Sequence, residues 1–205
     1  MDSETVDASS SQTASTTTTE TLPSLTDYEE RKYGALAVKM QYFHDMLQRE
    51  YEAAYKMADG SFNKAGMSLR QYLRFVDDFR GRKLPSSAQN LRTPCTNGGF
   101  TDLTMHHDIE EAHVFPKLAK KMPEFRANER HKKSHKLIHN GLDRIEAAVK
   151  GFEEDNSSYN PVEMRAALDS FREPLYTHLA EEVRDLGAEN MRKYWTLSEI
   201  AAFRF

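Results

Sequence analysis

One short segment, HHDIEEAHVFP at residues 106–116, constrains the fold of this chain more than any other feature of the sequence. It places histidines and carboxylates four residues apart, His106 with Glu110 and His107 with Glu111, within a helix-like pattern of apolar residues. Residues four apart on a helix lie about 5–6 Å from each other between Cβ atoms, so either pair could hold one metal ion. A carboxylate that faces an apolar core is costly unless it is paired or bound to a metal. Because Glu110 lies close to the apolar line, the segment predicts a helix that carries metal ligands.

The length, charge and cysteine content of the chain limit what this helix can belong to. The 205 residues allow one domain of ordinary size plus a tail. With 28 Lys and Arg against 32 Asp and Glu, a net charge of −4 and no long basic run, we expect no nucleic-acid or membrane partner. The lone Cys95 excludes an internal disulfide, a zinc ribbon and a CxxC redox motif. This cysteine usage fits a reducing compartment, so we expect a cytoplasmic protein.

The first 24 residues differ in composition from the rest of the chain. They are rich in Ser and Thr, acidic, and almost without large apolar side chains, so they cannot bury enough surface to offset the entropy of ordering. They lack the charged start and apolar core of a secretion signal, and no later run is long enough to span a bilayer. We therefore expect a disordered tail at 1–24 and one helical domain at 25–205.

Hydrophobic periodicity predicts four long helices in that domain. Helices A, B, C and D are expected at 27–58, 101–121, 123–154 and 161–186. A shorter helix at 68–79 precedes helix B, and the turn-rich segment 81–99 between them is expected to be a long loop. Short helices at 189–205 are expected to cap one end. Pro174 should kink helix D or remove one backbone hydrogen bond, and a bend of helix B near Pro116 is left open.

All eight histidines lie between His44 and His178, and they divide among the four predicted helices. A single histidine on an apolar line is more often a satisfied core residue than a ligand, and we treat His107, His113 and His139, taken individually, as core or surface residues. The full set is different, because bundles build metal sites from ligands on facing helices. Without a metal centre, each histidine on an apolar line would need its own structural explanation, and all of these explanations would have to hold at once. The sequence therefore favours one metal centre shared by the four helices.

Three motifs in sequence order, HHDIEEAHVFP, HKKSHKLIH and HLAEEV, follow a lone histidine on helix A and resemble the hemerythrin-like (HHE, cation-binding) family. The resemblance covers about residues 35–186. It implies an all-α antiparallel four-helix bundle, here with a short extra helix before helix B and a helical C-terminal cap. It also implies two non-haem irons held by five histidines and two bridging carboxylates. Carried over by position, the implied ligands are His44 and His106 on one iron, His131, His135 and His178 on the other, and Glu110 and Glu182 as bridges.

Two details depart from a simple transfer of that pattern. The helical wheel of helix B centres nearer His107, whereas the motif counted back from Pro116 selects His106, and we follow the motif. The last carboxylate is Glu182, four residues after His178, where the oxygen-carrying members of the family place Asp at five. The resemblance therefore implies a di-iron site without implying identical oxygen chemistry.

The ligand types indicate the chemistry of the centre. Imidazole and carboxylate without thiolate suit iron, zinc or manganese, and the resemblance favours two iron ions over the other two metals. Seven ligands on two ions leave room for an oxo or hydroxo bridge and one exogenous molecule such as O₂, peroxide or NO. We predict a di-iron protein that binds O₂ or a related small molecule for sensing or redox chemistry. A di-iron enzyme that oxidises a small substrate or removes peroxide or NO, and a helical interaction module with a structural metal, are the alternatives.

Overall fold

The computed structural model describes residues 23–81, 102–127 and 129–203, and these residues form helices and turns without a strand. The predicted all-α class is therefore confirmed. The helices are α1 (Asp27–Tyr33), α2 (Ala35–Met57), α3 (Leu69–Arg80), α4 (Leu103–Ile109), α5 (Phe115–Leu118), α6 (Arg130–Glu154), α7 (Pro161–Asp185), α8 (Ala188–Tyr194) and α9 (Leu197–Ala201). Most of the predicted tail at 1–24 and of the predicted loop at 81–99 lies outside the described residues.

The predicted helix A consists of two helices. Thr26 begins α1 with a capping box, in which its side chain accepts a hydrogen bond from the backbone of Glu29 while the Glu29 carboxylate binds the Thr26 backbone. Gly34 separates α1 from α2, although the backbone hydrogen bonds from Gly34 to Glu30 and from Val38 to Gly34 remain. The chain therefore keeps nearly the direction that the single predicted helix would have had.

The predicted helix before helix B is α3, and its ends follow from local chemistry. Ser68 begins it with a second capping box that pairs with Gln71. Gly81 ends it with a φ of 103°, a left-handed conformation that costs little only for glycine.

The predicted helix B is bent by a π-helical turn, Glu110–Val114, between α4 and α5. Pro116 has no N–H, and its ring would clash with the carbonyl four residues earlier in a regular α-helix. The hydrogen-bond pattern changes one residue before the proline, where the Phe115 N–H donates to the carbonyl of Glu110, five residues back. Such a turn inserts one extra residue into the helix. The residues after the turn are therefore shifted around the helix axis, relative to α4, by about one residue position.

The long helices pack against each other in defined pairs. α6 and α7 run antiparallel, since His131 meets Asp185 near one end of the pair and Gly141 faces Phe171 further along. α2 also runs antiparallel to α7, because His44 contacts the carbonyl of Leu179 and Tyr51 that of Leu168. α3 lies against both α2 and α6, with the Tyr72 hydroxyl bound to Ala54 and Arg80 paired with Glu146. In the part of the chain that the structure describes, no helix is long and apolar enough to cross a bilayer.

Two apolar clusters form the core. The main apolar cluster lies among α2, α3, α6 and α7, and it includes Leu47, Tyr51, Leu73, Val76, Phe79, Ile138, Leu142, Ile145, Leu168, Phe171 and Leu175. The terminal apolar cluster joins α1, α5 and the C-terminal helices, and it includes Tyr33, Met40, Val114, Phe115, Leu118, Phe125, Leu186, Met191 and Trp195. Along α2, Met40 belongs to the terminal cluster and Leu47 to the main one, with His44 between them. The same order on the other helices places a polar layer between the two clusters.

Candidate metal centre

Five stretches of helix supply the polar layer, and the side chains that they contribute are almost completely shielded from solvent. α2 contributes one histidine, α4 two, the π-helical turn one glutamate, α6 two histidines, and α7 one histidine and one glutamate. These residues are His44, His106, His107, Glu110, His131, His135, His178 and Glu182, none more than 9% exposed. The residues on α6 and α7 reach the layer because each lies on the helix face that also carries the apolar core.

The first group of ligand atoms that could hold one ion comes from His44, His106, Glu110 and Glu182. The Nε2 atom of His106 lies 2.9 Å from Oε1 of Glu110, one helical turn later. The Nε2 atom of His44 lies 3.5 Å from Oε2 of Glu182 on α7. Each of the four offers a nitrogen or oxygen within 4.8 Å of the others. This spacing suits atoms that share one cation.

The second group comes from His107, Glu110, His135 and His178. The Nε2 atoms of His135 and His178 lie 3.0 Å apart, although they belong to different helices. Oε2 of Glu110 is 3.3 Å from Nε2 of His135, and the ring of His107 stacks on the ring of His135 at 3.9 Å between centroids. Three imidazoles and one carboxylate therefore converge on a second position.

Two carboxylates lie between the groups. Glu110 belongs to both, because its two oxygens face His106 and His135 respectively. Oε2 of Glu182 lies 3.5 Å from Nε2 of His44 and 3.6 Å from Nε2 of His178. Glu110 is thus shared by the two groups, and Glu182, a member of the first group, also approaches His178 of the second.

Contacts outside the groups orient two of the histidine rings. The Nδ1 of His44 lies 3.2 Å from the carbonyl oxygen of Leu179, and the Nδ1 of His135 lies 2.9 Å from Oε1 of Glu111. Lys132 holds the other oxygen of Glu111 at 3.1 Å. A ring that donates its Nδ1–H in this way leaves the Nε2 lone pair free to bind a metal. These contacts therefore point the available lone pairs into the polar layer.

Many buried polar atoms in the layer have no hydrogen-bond partner. Buried polar groups in folded proteins normally have one, and each exception requires an explanation. The unpartnered atoms among the described residues of the layer are Nε2 of His44 and His106, both ring nitrogens of His107, Nδ1 of His131 and His178, and both oxygens of Glu110 and Glu182. Nitrogen and oxygen atoms that converge without partners are the arrangement that a bound cation would satisfy. The donor set therefore fits a metal centre.

The electrostatics of the layer favour neutral imidazoles. Burial, together with the nearby His106, lowers the pKa of His44 to about 4. Burial likewise holds the pKa values of His107 and His178 well below their ordinary range. Burial and the facing carboxylate of Glu110 raise the pKa of Glu182 well above its ordinary range. For Glu110, burial acts in the same direction, but the surrounding histidines outweigh it and hold the pKa well below the ordinary value. At neutral pH His44, His107 and His178 are therefore available as ligands.

Six of the seven ligands implied by the family pattern fall in the two groups, and His131 is the seventh. Its Nε2 lies 3.0 Å from Oδ2 of Asp185, and its ring stacks on Phe125 at 4.5 Å between centroids. His107 stands in the second group instead. His113 is exposed, and His139 is partly buried and outside both groups. The assignment of individual ligands stays a prediction.

The π-helical turn explains why the helical wheel and the motif disagreed on helix B. A regular helix returns to the same face after about 11 residues, so counting back from Leu118 leads to His107. The extra residue in the turn moves that position to His106. Both histidines are nevertheless buried, His106 in the first group and His107 in the second. Two adjacent residues on one helix thus face two neighbouring positions.

The sequence indicates Glu111 only as a possible partner of His107 on one metal ion, and it does not single out Asp185. These two carboxylates hold His135 and His131 from outside the groups. Glu111 is the second glutamate of the HHDIEEAHVFP motif, and Asp185 follows Glu182 by three residues on the same helix. The signal that could have identified both residues is therefore a carboxylate that lies next to a predicted ligand in the sequence or one helical turn from it.

Comparison with known proteins agrees with this geometry. Residues 100–188 match the family model of the hemerythrin HHE cation binding domain. The resemblance predicted from the motifs is thereby confirmed, and the matched region carries every histidine of the polar layer except His44. The chain is also 30% identical over 102 residues to the dimeric xanthone biosynthesis cluster protein R11 of Cryptosporiopsis sp. (strain 8999). That similarity covers 46% of this chain and 37% of the relative, and no solved structure matches.

Proposed function

We propose that this chain is a non-haem di-iron protein that binds O₂ or a related small molecule at its His/carboxylate centre, for sensing or redox chemistry. The observation that carries the proposal is the pair of ligand groups that share Glu110. One shared carboxylate suits two neighbouring ions better than two unrelated sites. We also propose that α2, the bent helix α4–α5, α6 and α7 are the four members of an antiparallel hemerythrin-like bundle.

Iron is the metal that this donor set and the HHE domain together favour, with zinc and manganese as weaker candidates. His44, His106, Glu110 and Glu182 would hold one ion, and Glu110 with the histidines of the second group would hold the other. Bound iron would supply a change of oxidation state and an open coordination position. The absence of thiolate from both groups argues against copper(I) and iron–sulfur chemistry.

The residues of the chain prepare the centre in three ways. The low pKa values of His44, His107 and His178 keep a ring lone pair of each unprotonated at neutral pH. The Leu179 carbonyl and Glu111 orient His44 and His135 so that Nε2 faces inward. The apolar clusters on both sides exclude water from the layer. A cation therefore meets a preformed set of ligands, which strengthens its binding.

A di-iron enzyme is the second candidate. The relative from Cryptosporiopsis is named for a biosynthesis cluster, and such a context favours chemistry on a small molecule over transport. The chain spans little more than a third of that relative, so the substrate and activity of the relative do not transfer by themselves.

The lone cysteine supports our proposal of a cytoplasmic location.

Anaerobic titration of the metal-free protein with Fe(II) tests the proposal. We expect saturation at two equivalents, because two groups each offer four ligand atoms. Saturation at one equivalent would instead support a module with a single structural ion. The Fe(II)-loaded protein is then exposed to air while its visible absorption is monitored. This measurement distinguishes a sensor or redox protein from an oxygen carrier. A sensor or redox protein should give a stable ferric form, whereas a carrier would return to the ferrous form on gas exchange alone.

A further inference from the structure

We propose that His107 is a metal ligand of this chain and occupies the place that the family pattern gives to His131. The inference rests on the proposed di-iron function and refines it by assigning one ligand of the second position. It differs from the motif-based expectation, in which His107 is dispensable. Four observations on α4, α6 and α7 support it.

The first observation is the environment of His107. The residue is 1% exposed, and neither of its ring nitrogens has a hydrogen-bond partner among the described residues. An imidazole whose two nitrogens are both buried and unpartnered loses the hydrogen bonds that it makes with water. A bound metal would satisfy one nitrogen directly. A histidine retained only for packing would be costly at this place, where an apolar ring of the same size would fit.

The second observation is the position of His107 relative to other ligands. Its ring lies 3.9 Å from that of His135, nearly parallel, and 5.5 Å from that of His178, nearly perpendicular. One of its ring nitrogens belongs to the set of mutually close ligand atoms that also includes Glu110. Its neighbour in sequence, His106, belongs to the other set. Adjacent residues point about 100° apart on a helix, so each histidine can serve one of two adjacent ions.

The third observation concerns His131, the residue that His107 would replace. Nε2 of His131 lies 3.0 Å from Oδ2 of Asp185, whose carboxylate also binds the guanidinium of Arg130. Its ring stacks on Phe125 in the terminal apolar cluster. Nδ1 of His131 is buried without a partner, yet no ligand atom of His131 belongs to either group. We assign His131 a structural role, since it joins the start of α6 to the end of α7.

The fourth observation is the composition of the resulting ligand set. With His107 included and His131 excluded, the two groups contain five histidines and two carboxylates. The family pattern implies the same numbers. The replacement therefore changes which helix supplies the third histidine of the second ion without changing the chemistry that the ion meets. Helix B then supplies two histidines and helix C one.

Fe(II) titration of the full-length protein under anaerobic conditions tests the assignment. The wild type should bind two equivalents. His107→Ala should bind one equivalent normally and the second more than about 100-fold more weakly, because loss of a direct ligand exceeds the 10–100-fold cost of losing an outer contact. His131→Ala should bind two equivalents. His113→Ala, which removes an exposed histidine from the same bent helix, is the matched control and should also bind two.

Chemical rescue separates a ligand from a packing residue. Imidazole added to His107→Ala should restore the second equivalent, whereas pyrrole should not, because pyrrole fills the same space without an available lone pair. If the alanine variant does not fold, as judged by circular dichroism, His107→Gln preserves the volume and should show the same weakened second equivalent.

Normal binding by the His107 variants together with loss of the second equivalent in His131→Ala would overturn the assignment and restore the family pattern. Loss of the second equivalent in both His107→Ala and His131→Ala would overturn the replacement as well. If the wild type itself bound fewer than two equivalents, both this assignment and the proposed function would fail. The wild-type titration thus distinguishes failure of the function from failure of the ligand assignment.

Discussion

Helices α2, α6 and α7 each pass through two regions that differ in whether their buried polar groups are hydrogen-bonded. In the main apolar cluster every buried tyrosine hydroxyl that the structure describes has a partner, as Tyr51 has in the carbonyl of Leu168 and Tyr72 in that of Ala54. In the polar layer, both oxygens of Glu110 and of Glu182 have none. The same helices thus carry one region in which these polar groups have hydrogen-bond partners within the protein and one in which they do not.

The difference separates stability from function. Apolar burial near 25 cal/mol per Å² stabilises the main cluster, and its few polar groups lose little because they are hydrogen-bonded. The polar layer opposes folding of the metal-free chain, since it buries carboxylates and imidazoles many of whose atoms have no hydrogen-bond partner. Ligand binding to the folded state alone would reverse that effect. Changes in the layer should therefore alter metal content, and changes in the main cluster should alter stability.

The largest expected effect is on metal content, through Glu110→Gln. Glu110 faces both groups, so loss of its charge should weaken both positions by more than about 100-fold and leave less than one equivalent of iron after dialysis. Asp108→Asn removes an exposed carboxylate from the same helix and should leave two. Two tightly bound equivalents in Glu110→Gln would show that the two positions do not share this carboxylate.

Acid should destabilise the metal-free protein through the polar layer. The pKa of His44 is about 4 in the folded protein against an ordinary value of 6.5, so the unfolded chain binds more protons between these values. Its contribution is complete above pH 6.5 and is lost as the pH falls towards 4, by about 3 kcal/mol. His107 and His178 act in the same direction. The raised pKa of Glu182 has the opposite sign, because its contribution is lost as the pH rises above 4.5.

Urea denaturation of the metal-free protein at pH 7 and pH 4.5 measures this dependence. His44→Gln is the matched variant, and its stability should fall less over the same interval because it lacks one titrating ring. An equal change in stability of the wild type and of His44→Gln over this interval would contradict a neutral, buried His44.

A smaller effect should follow from Gly141→Ala in the main apolar cluster. A Cβ at Gly141 would lie 2.3 Å from Cβ of Phe171, so α6 and α7 would have to separate. Overpacking of this kind costs about 1–3 kcal/mol. Gly151→Ala on the same helix meets no atom within 4 Å and should stabilise the protein by up to about 1 kcal/mol. Thermal melting measures both, and a neutral Gly141→Ala would argue against the close contact of the helices.

The smallest expected effect is that of Tyr72→Phe, which removes one satisfied hydrogen bond from the main apolar cluster. The loss should be about 1 kcal/mol, with two equivalents of iron still bound. Tyr42→Phe, at a side chain that is 61% exposed, should change neither property. Loss of iron from Tyr72→Phe would show that the two regions are not independent.

The agreement between sequence and structure is closest where the signal is local. The predicted extra helix at 68–79 corresponds to Leu69–Arg80, because Ser68 and Gly81 mark its ends. The predicted helix C began at residue 123, whereas α6 begins at Arg130 after a 3₁₀ turn, Pro123–Phe125. Phe125 leaves the helical path to enter the terminal apolar cluster. A contact between segments distant in sequence, rather than helix propensity, sets that boundary.

By itself, the sequence determined the helical class, the kinds of ligand and the HHE resemblance. Helical period and spacings of four residues depend only on neighbours along the chain. Tertiary structure alone decided which histidines converge. His107 and His131 both lie on helices that carry candidate ligands, yet of the two only His107 belongs to a group with Glu110, because Asp185 and Phe125 hold His131 outside both groups. Local pattern cannot distinguish them, since a histidine becomes a ligand only through the side chains that other helices bring to it.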